Sequence, residues 1–351
     1  MTLKDFTYEL RKFVKTSNKE ITSLQTMLAE SEKQFFDAYD AIDVTEFAQV
    51  KGGMGGPAKR KSKMRAQLKE LIEKANAIIP RTVQNDYEQI QRFYELFFDE
   101  TGKPREEANV KELQRNGLFH IACTDKYETK KRGELFVMPN KLLNKTPKYR
   151  FNPDGAPCIY MASTLYNAWE ETRRPDFEKA NFVLFRPQKK LRVMSLYIEP
   201  RMLRYGEFAM AYFTLICSRK TDDGDRHHYQ YVVPNLFMAI LTHHIAVNKQ
   251  RPIDGIRYLS SRGFDGEEYQ FQSKDIDEAF VFPQRLNEMG ELDAGYLRKM
   301  FTMTDPRNYF YYQVHRYDFG TGAARVSDYR DSLYFAIEEQ LRGEKATKIE
   351  E

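Results

Sequence analysis

The spacing of apolar residues changes part-way along the chain, and this change limits the folds open to it. In the first hundred residues apolar side chains recur every three or four positions, as with Leu10, Phe13 and Val14, which is typical of one face of a helix. Beyond about residue 115, short segments rich in β-branched and aromatic residues predict strands. Because strands and helices mix there without a regular βαβ repeat, the sequence predicts an α+β fold rather than a doubly wound sheet.

The same spacing predicts the individual elements. The first 50 residues are predicted to be helical, and Pro80 is predicted to separate two further helices, because proline interrupts a helical pattern. These two helices cover residues 65–79 and 84–98. Further helices are predicted at 164–171, 200–214 and 233–247, and strands at 118–123, 134–138, 156–161, 180–186, 191–198 and 253–259.

A glycine-rich stretch followed by cations, KGGMGGPAKRKSK (residues 51–63), interrupts the helical pattern. It lacks the GxxxxGKS/T order of a phosphate-binding loop and follows no apolar strand. The sequence therefore predicts a solvated basic loop here. Its charge leaves room for weak contact with nucleic acid, but no readout motif supports such a contact, and nucleic acid is not expected as a partner.

Charge and cysteine content exclude several classes of protein. The 351 residues carry 55 basic and 51 acidic side chains, a formal net charge of +4, so a dedicated nucleic-acid binder is not expected. Three cysteines are too few and too scattered for a disulfide framework or a structural zinc site. The N-terminus lacks the apolar core of a signal peptide, and the longest apolar stretch, 231–247, is interrupted by polar residues. We expect a cytoplasmic protein with no bound metal and no membrane partner.

Chemically useful residues concentrate in the segment 148–176. It supplies Arg150, a Pro-Asp-Gly turn, a short strand that ends near Tyr160, and a helix that carries Glu170 and Glu171. Arginine offers a planar fork for phosphate oxygens, tyrosine an aromatic face, and glutamate a carboxylate for ribose hydroxyls or a developing cation. These residue types on three successive elements suit a phosphorylated ligand that contains a ring.

The order of these residues resembles the RES domain family, which is named for its Arg, Glu and Ser. Tyr160 follows Arg150 by ten residues inside the pattern GxPxxYxA, and Glu171 comes eleven residues later. The later segment DGIRYLSSR is similar to the family's serine block and puts Ser260 at the serine position. The resemblance is clear over residues 115–265 and extends in part over about 90–340.

The resemblance implies a fold related to the ADP-ribosyltransferases and an enzyme that consumes NAD. Members of the family act as toxins of toxin–antitoxin pairs and cleave the nicotinamide–ribose bond by hydrolysis or phosphorolysis. By this resemblance, Arg150 holds the dinucleotide phosphates, Tyr160 lines the nicotinamide–ribose pocket, and Ser260 orients the substrate. Glu171 binds the ribose and stabilises positive charge at its anomeric carbon, which suits the oxocarbenium-like transition state of glycosidic cleavage.

The same resemblance implies the partners. NAD is the substrate and no separate cofactor is expected. Inorganic phosphate is the second substrate if the reaction is a phosphorolysis, and an antitoxin or immunity protein is expected in the host of an active enzyme.

Two positions depart from the family pattern or leave its register open. Many members carry another arginine on the first strand, where LFHIA puts His120. Histidine can donate to a phosphate, but it is not always charged and lacks a planar fork, so weaker phosphate binding and reduced activity are expected. Glu170 lies beside Glu171, and a slip of one residue on a helix turns a side chain by about 100°. Spacing favours Glu171, and we count His120 and Glu170 among the residues expected to contact NAD.

Two other functions stay open. The first is transfer of ADP-ribose to a macromolecule, since another nucleophile can capture the same cation. The second is a catalytically silent RES-fold binding module in which each site residue has an ordinary surface or core role. For the domain organisation we expect a helical N-terminal region at 1–90, a RES-like NAD-binding domain at 91–341 and a charged tail at 342–351.

Overall fold

A computed structural model describes residues 1–16, 23–51, 55–83, 86–106, 109–113, 117–124, 129–136, 149–152, 157–219, 229–247, 253–260, 278–286, 292–314 and 329–349. The helices are α1 (Leu3–Thr16), α2 (Leu24–Asp40), α3 (Pro57–Thr82), α4 (Tyr87–Glu95), α5 (Arg132–Phe136), α6 (Leu165–Glu171), α7 (Tyr205–Cys217), α8 (Tyr229–Val247), α9 (Ala294–Met300), α10 (Tyr309–Val314) and α11 (Leu333–Gly343), with 3₁₀ turns at Val44–Ala48, Phe177–Lys179 and Tyr329–Asp331. The strands are β1 (Val110–Leu113), β2 (Leu118–Cys123), β3 (Cys158–Ala162), β4 (Ala180–Pro187), β5 (Leu191–Leu196), β6 (Gly255–Leu259), β7 (Glu278–Pro283), β8 (Arg285–Leu286), β9 (Leu292–Asp293), β10 (Phe301–Met303), β11 (Arg307–Asn308) and β12 (Thr347–Lys348). This mixture confirms the α+β class. Within these ranges no helix is long and apolar enough to cross a membrane.

The chain divides into two compact units, each assembled from separate stretches of sequence. The first unit comprises Met1–Lys111, Tyr149–Pro153 and Arg192–Ser261. The second comprises Glu112–Lys148, Asp154–Leu191 and Arg262–Glu351. The division therefore does not fall at residue 90, where the sequence predicts the end of a separate helical region.

Helix α7 forms the centre of the first unit. Its residues are almost all buried, and it packs against α1, α2, α3 and α8. Phe208 of α7 contacts the rings of Phe6, Tyr39 and Phe47 at centroid distances of 5.7, 5.7 and 6.3 Å. Strands β5 and β6 of this unit run parallel, with β1 beside β5. The N-terminal helices belong to this unit because their aromatic side chains bury apolar surface against α7.

An antiparallel sheet forms the centre of the second unit. Its strands pair in the order β7-β3-β2-β4-β10-β12, and β11 also pairs with β4. Helices α6, α10 and α11 contribute Ala168, Tyr312 and Leu341 to a core that also holds Phe119 of β2 and Phe182 of β4. The helices thus bury the apolar face of the two central strands that the sequence predicts.

Helix α3 differs from the prediction at both ends. It begins at Pro57, within the stretch predicted as a loop, because Gly56 precedes it and a proline at the first helical position loses no hydrogen bond. Residues 52–54 of that stretch lie outside the described residues. The helix also continues through Pro80 to Thr82, since a proline this near the end removes only a bond of the last turn.

The cations of the basic stretch have structural contacts. The Lys61 Nζ donates to the carbonyls of Asp40 and Ile42 at 2.7 and 2.6 Å. The Arg60 Nη1 donates to the Ala48 carbonyl at 3.1 Å. These hydrogen bonds satisfy backbone carbonyl groups at the C-terminal ends of α2 and the following 3₁₀ turn, which the helices themselves do not bond.

One further prediction is wrong. The strand predicted at 134–138 is replaced by α5, and residues 137–138 lie outside the described residues. The Glu134 side chain accepts from the Lys131 N–H at 2.8 Å and the Glu134 N–H donates to the Lys131 carbonyl at 3.0 Å, which closes a helical turn. The predicted tail at 342–351 is partly regular, because β12 pairs with β10. Residues 350–351 lie outside the described residues.

Candidate active site

Helix α6 begins directly where strand β3 ends, and short hydrogen bonds fix the junction. The Ser163 N–H and Oγ both donate to the Glu278 carbonyl, at 3.0 and 3.1 Å. Thr164 caps the helix, because its Oγ1 accepts from the Asn167 N–H at 3.1 Å. The helix predicted here is confirmed, and its last turn carries the two candidate carboxylates.

Glu170 and Glu171 lie in different surroundings, because neighbours on a helix diverge by about 100°. Glu170 is only 2% exposed, and its Oε2 accepts from the Arg174 Nε at 2.8 Å. Glu171 is half-buried. The turn after α6 positions Arg174: Arg173 and Arg174 have φ of 65° and 53°, and the Arg174 N–H donates to the Trp169 carbonyl at 3.0 Å. Arg174 therefore balances the charge of Glu170.

The pairing of β2 with β3 brings His120 to Tyr160. The His120 Nδ1 lies 2.7 Å from the Tyr160 carbonyl oxygen, and because a carbonyl only accepts, Nδ1 carries the hydrogen. Burial lowers the pKa of His120 below its usual 6.5, and the bond to Tyr160 offsets only part of this effect. At neutral pH the ring is uncharged with its lone pair on Nε2. Such a ring accepts a proton or a hydrogen bond and is poorly suited to holding a phosphate.

A third carboxylate, Glu338 of α11, contacts the start of α6. Its Oε1 accepts from the Leu165 N–H at 2.5 Å and from the Tyr329 hydroxyl. Its Oε2 lies 3.7 Å from the Arg342 Nη2. Burial raises the pKa of Glu338 to about 7. Glu338 thus binds a backbone N–H at the start of the helix that carries the candidate carboxylates.

Arg150 and Ser260 belong to the first unit. The Arg150 Nη1 donates to the Cys217 carbonyl at the end of α7, where the helix dipole favours a cation. Ser260 is fully buried directly after β6, and the carbonyl of the preceding residue, Leu259, accepts from the Ser218 Oγ at 2.9 Å. The first unit therefore gathers Arg150 and Ser260 around the C-terminal end of α7.

The residues predicted from the sequence thus fall into two groups. The second unit holds those on β2, β3 and α6, which are His120, Tyr160, Glu170 and Glu171. Side chains alternate along β2, and Phe119 and Ile121 pack on α6, so His120 lies on the opposite face of the sheet, beside the Phe185 ring. The first unit holds Arg150 and Ser260.

Three residues on or in contact with α6 are not among the site residues predicted from the sequence: Arg174, Asn167 and Glu338. Arg174 carries a usable signal, because it follows Glu170 by four residues and such pairs meet on one helix face. Asn167 carries no such signal, because its burial is visible only in the structure. Glu338 carries none, because 173 residues separate it from Leu165.

Protein-family models, curated proteins and solved structures were compared with this chain. None matches it. The likeness to the RES family therefore rests on the sequence motifs alone. Within the described ranges, no group of three or more His, Cys, Asp or Glu side chains could hold a metal ion.

Proposed function

We propose that the chain is a RES-type enzyme that consumes NAD by cleaving its nicotinamide–ribose bond, by hydrolysis or phosphorolysis. The observation that carries the proposal is the contact of α6 with β3. There an aromatic residue of β3, Tyr160, and a half-buried carboxylate of α6, Glu171, come from adjacent elements of one unit. These groups suit a substrate with a sugar and a cationic leaving group. The RES-like fold is also part of the proposal.

Glu171 is the carboxylate best suited to the reaction. As the glycosidic bond breaks, nicotinamide leaves with the bonding electron pair and becomes neutral, so that positive charge develops on the ribose and the leaving group needs no acid. A fixed, partly buried carboxylate stabilises that charge more than the neutral ground state of the sugar. Glu170 is less suited, because Arg174 already balances its charge at 2.8 Å.

The oxygen of water bonds to the anomeric carbon as nicotinamide leaves, the water's proton passes to solvent, and the products are nicotinamide and ADP-ribose. With phosphate as the nucleophile, the product is ADP-ribose carrying a phosphate at the anomeric carbon. His120 stays a residue expected to contact NAD, as the resemblance implies. Tyr160 lining the ribose pocket, Arg150 holding phosphates and Ser260 orienting the substrate remain as the resemblance implies them. An antitoxin or immunity protein is part of the same proposal.

The test is nicotinamide release from NAD by the purified protein, with and without phosphate. We expect Glu171→Gln to lower the rate by about 100-fold or more, because the amide cannot stabilise the cation. Glu170→Gln is the matched control, one residue away on the same helix, and we expect it to lose about tenfold or less. Phosphate dependence would identify the nucleophile.

Other outcomes would point to the other functions. If labelled NAD left its label on a macromolecule, the reaction would be ADP-ribosyl transfer. If the wild type released no nicotinamide at high protein concentration, the chain would be a silent module and the proposed function would be wrong. Equal losses in Glu170→Gln and Glu171→Gln would contradict the assignment of Glu171.

A further inference from the structure

Asn167 on α6 holds a buried carboxamide without a protein partner. Its side chain is fully buried, and neither Oδ1 nor Nδ2 has a hydrogen bond among the described residues. Its backbone N–H, in contrast, is bound by the capping Thr164. A buried polar group without a partner costs free energy. Its presence in the middle of a helix therefore calls for a role that the folded chain alone does not supply.

The position of Asn167 connects it with the candidate carboxylates. It lies three residues before Glu170 and four before Glu171, spacings that make helical residues neighbours at about 5–6 Å between Cβ atoms. Glu170 Oε1 is also buried and carries no hydrogen bond of ordinary length among the described residues. Exposure rises along this stripe from the fully buried Asn167 to the half-buried Glu171. A ligand bound at Glu171 therefore lies within about one helical turn of Asn167.

We propose that Asn167 binds the carboxamide of the nicotinamide ring and so selects the substrate; this inference rests on the proposed function. A side-chain amide presents one acceptor and one donor side by side, and its complement is another carboxamide. The ligand's N–H would donate to Oδ1, and its carbonyl would accept from Nδ2. With the ribose at Glu171, the nicotinamide ring is the part of NAD bonded to the anomeric carbon, so it is the part that reaches the neighbouring residue.

The proposed contact with Asn167 would make the site discriminate between NAD and its deamidated analogue. The deamidated analogue of NAD carries a carboxylate in place of the carboxamide, so it has no donor for Asn167 Oδ1. Its negative charge would also lie close to Glu170 and Glu171. A site built to bind an amide rejects an analogue that leaves its buried polar groups unpaired. The wild type is therefore expected to prefer NAD over deamido-NAD in kcat/KM by about tenfold or more.

The experiment compares the wild type with Asn167→Leu, which has similar volume and no polar atoms. We expect the preference for NAD over deamido-NAD to fall to about onefold to threefold, mainly through a loss on NAD. The melting temperature should stay equal or rise, because the variant removes an unpaired buried amide. Tyr312→Phe is the matched control: it deletes another buried polar atom of the same unit that has no hydrogen bond within the described part of the chain, and it should leave the preference unchanged.

A binding measurement separates failure of this inference from failure of the proposed function. Calorimetry with nicotinamide and nicotinic acid as probes does not depend on turnover. A preference of the wild type for nicotinamide that Asn167→Leu abolishes supports the inference even if NAD is not cleaved. The inference is overturned if the wild type binds neither probe, or if Asn167→Leu keeps the wild-type preference. It is equally overturned if the variant melts at a lower temperature with its preference intact, since the amide then has a structural role, such as holding a buried water.

Discussion

At the scale of single residues, His120 shows how one hydrogen bond defines a chemical role. Its Nδ1–H is committed to the Tyr160 carbonyl, and burial lowers the pKa of the ring below 6.5. The unfolded chain therefore binds a proton at a higher pH than the folded chain does. The stability contributed by the uncharged ring is present above pH 6.5 and is lost as the pH falls through the folded pKa.

We predict that the imidazole of His120 titrates below 6.5 in the folded protein, as followed by the NMR shifts of its ring carbons and protons. His120→Asn should change the rate of nicotinamide release by about threefold or less, because asparagine can still donate to the Tyr160 carbonyl and His120 lies on the sheet face opposite α6. A titration at or above 6.5 would contradict the assignment. An unchanged rate in His120→Asn would assign His120 a structural role.

Glu170 and Arg174 provide a second prediction at this scale. Arg174 is the charged partner of a carboxylate that is 2% exposed, so its removal leaves a buried charge uncompensated. Arg174→Gln should lower the free energy of unfolding by about 1–2 kcal/mol, because Glu170 is buried but Arg174 is 43% exposed, so water compensates part of the lost ion pair. A double-mutant cycle with Glu170→Gln, measured by urea unfolding, should give a coupling above about 1 kcal/mol. A coupling near zero would show that, once one partner is removed, contacts between water and the remaining side chain compensate for the lost ion pair.

Much of the candidate site could be predicted at the residue level, but the state of each side chain could not. The order of Arg150, Tyr160 and Glu171 is visible in the sequence, since it depends on spacing along one segment. His120 is uncharged because it is buried, and the charge of Glu170 is balanced because its carboxylate points at Arg174. The spacing of residues along the chain gives no information on burial or on the direction of a side chain. The sequence alone therefore suggests His120 as a phosphate contact, whereas its surroundings leave the ring uncharged and poorly suited to that contact.

At the scale of elements, α6 depends on α11. The Glu338 carboxylate binds the first N–H of α6, where the positive end of the helix dipole favours negative charge. Burial nevertheless raises the pKa of Glu338 from 4.5 to about 7. The folded chain then holds this proton more tightly than the unfolded chain does. Stability contributed by this group is present below pH 4.5 and decreases as the pH rises from 4.5 to about 7.

We predict that Glu338→Gln removes this pH dependence. Glutamine keeps an acceptor for Leu165 and Tyr329 but cannot ionise, so the variant should gain stability relative to the wild type between about pH 5 and pH 8, by about 3 kcal/mol in total. Thermal unfolding across this range measures the difference. Glu339→Gln is the control, because its side chain is 58% exposed, and it should follow the wild-type curve. Parallel curves for the wild type and Glu338→Gln would contradict the raised pKa.

The elements themselves were predictable where one local signal dominates. Helix α6 was predicted because the apolar strand before it and the capping threonine are adjacent in sequence. The predictions failed where two local signals compete. At 134–138 the apolar residues favour a strand, but the capping contact between Lys131 and Glu134 favours a helical turn. At Pro80 the rule that proline ends a helix does not apply. This proline lies in the last turn of α3, where it removes only one hydrogen bond, and the helix continues to Thr82.

At the scale of the whole molecule, the N-terminal helices are part of the first unit. Arg11 of α1 donates from Nε to the Ile198 carbonyl at 3.1 Å. Arg219, which is fully buried after α7, lies 3.3 Å from the Glu30 carboxylate of α2 and faces the Phe13 ring of α1 at 4.8 Å. Without α1 and α2, this guanidinium would lose both contacts and α7 would expose its aromatic surface. Such a loss is comparable to the whole stability of a typical domain.

We therefore predict that a fragment of residues 84–351, which begins before α4 and leaves that helix intact, does not form the first unit. Hydrogen exchange should show the amides of α7 unprotected in the fragment and protected in the full chain, because exchange requires opening of the hydrogen-bonded core. Adding residues 1–83 as a separate peptide should restore part of that protection, since it returns the aromatic contacts to Phe208 and the carboxylate to Arg219. Protection of α7 in the fragment alone would mean that α7 folds without residues 1–83 and would contradict the prediction. Loss of this protection would mean that the positions of Arg150 and Ser260 depend on α1 and α2. Both residues lie beside the C-terminal end of α7, and α1 and α2 are more than a hundred residues earlier in the chain.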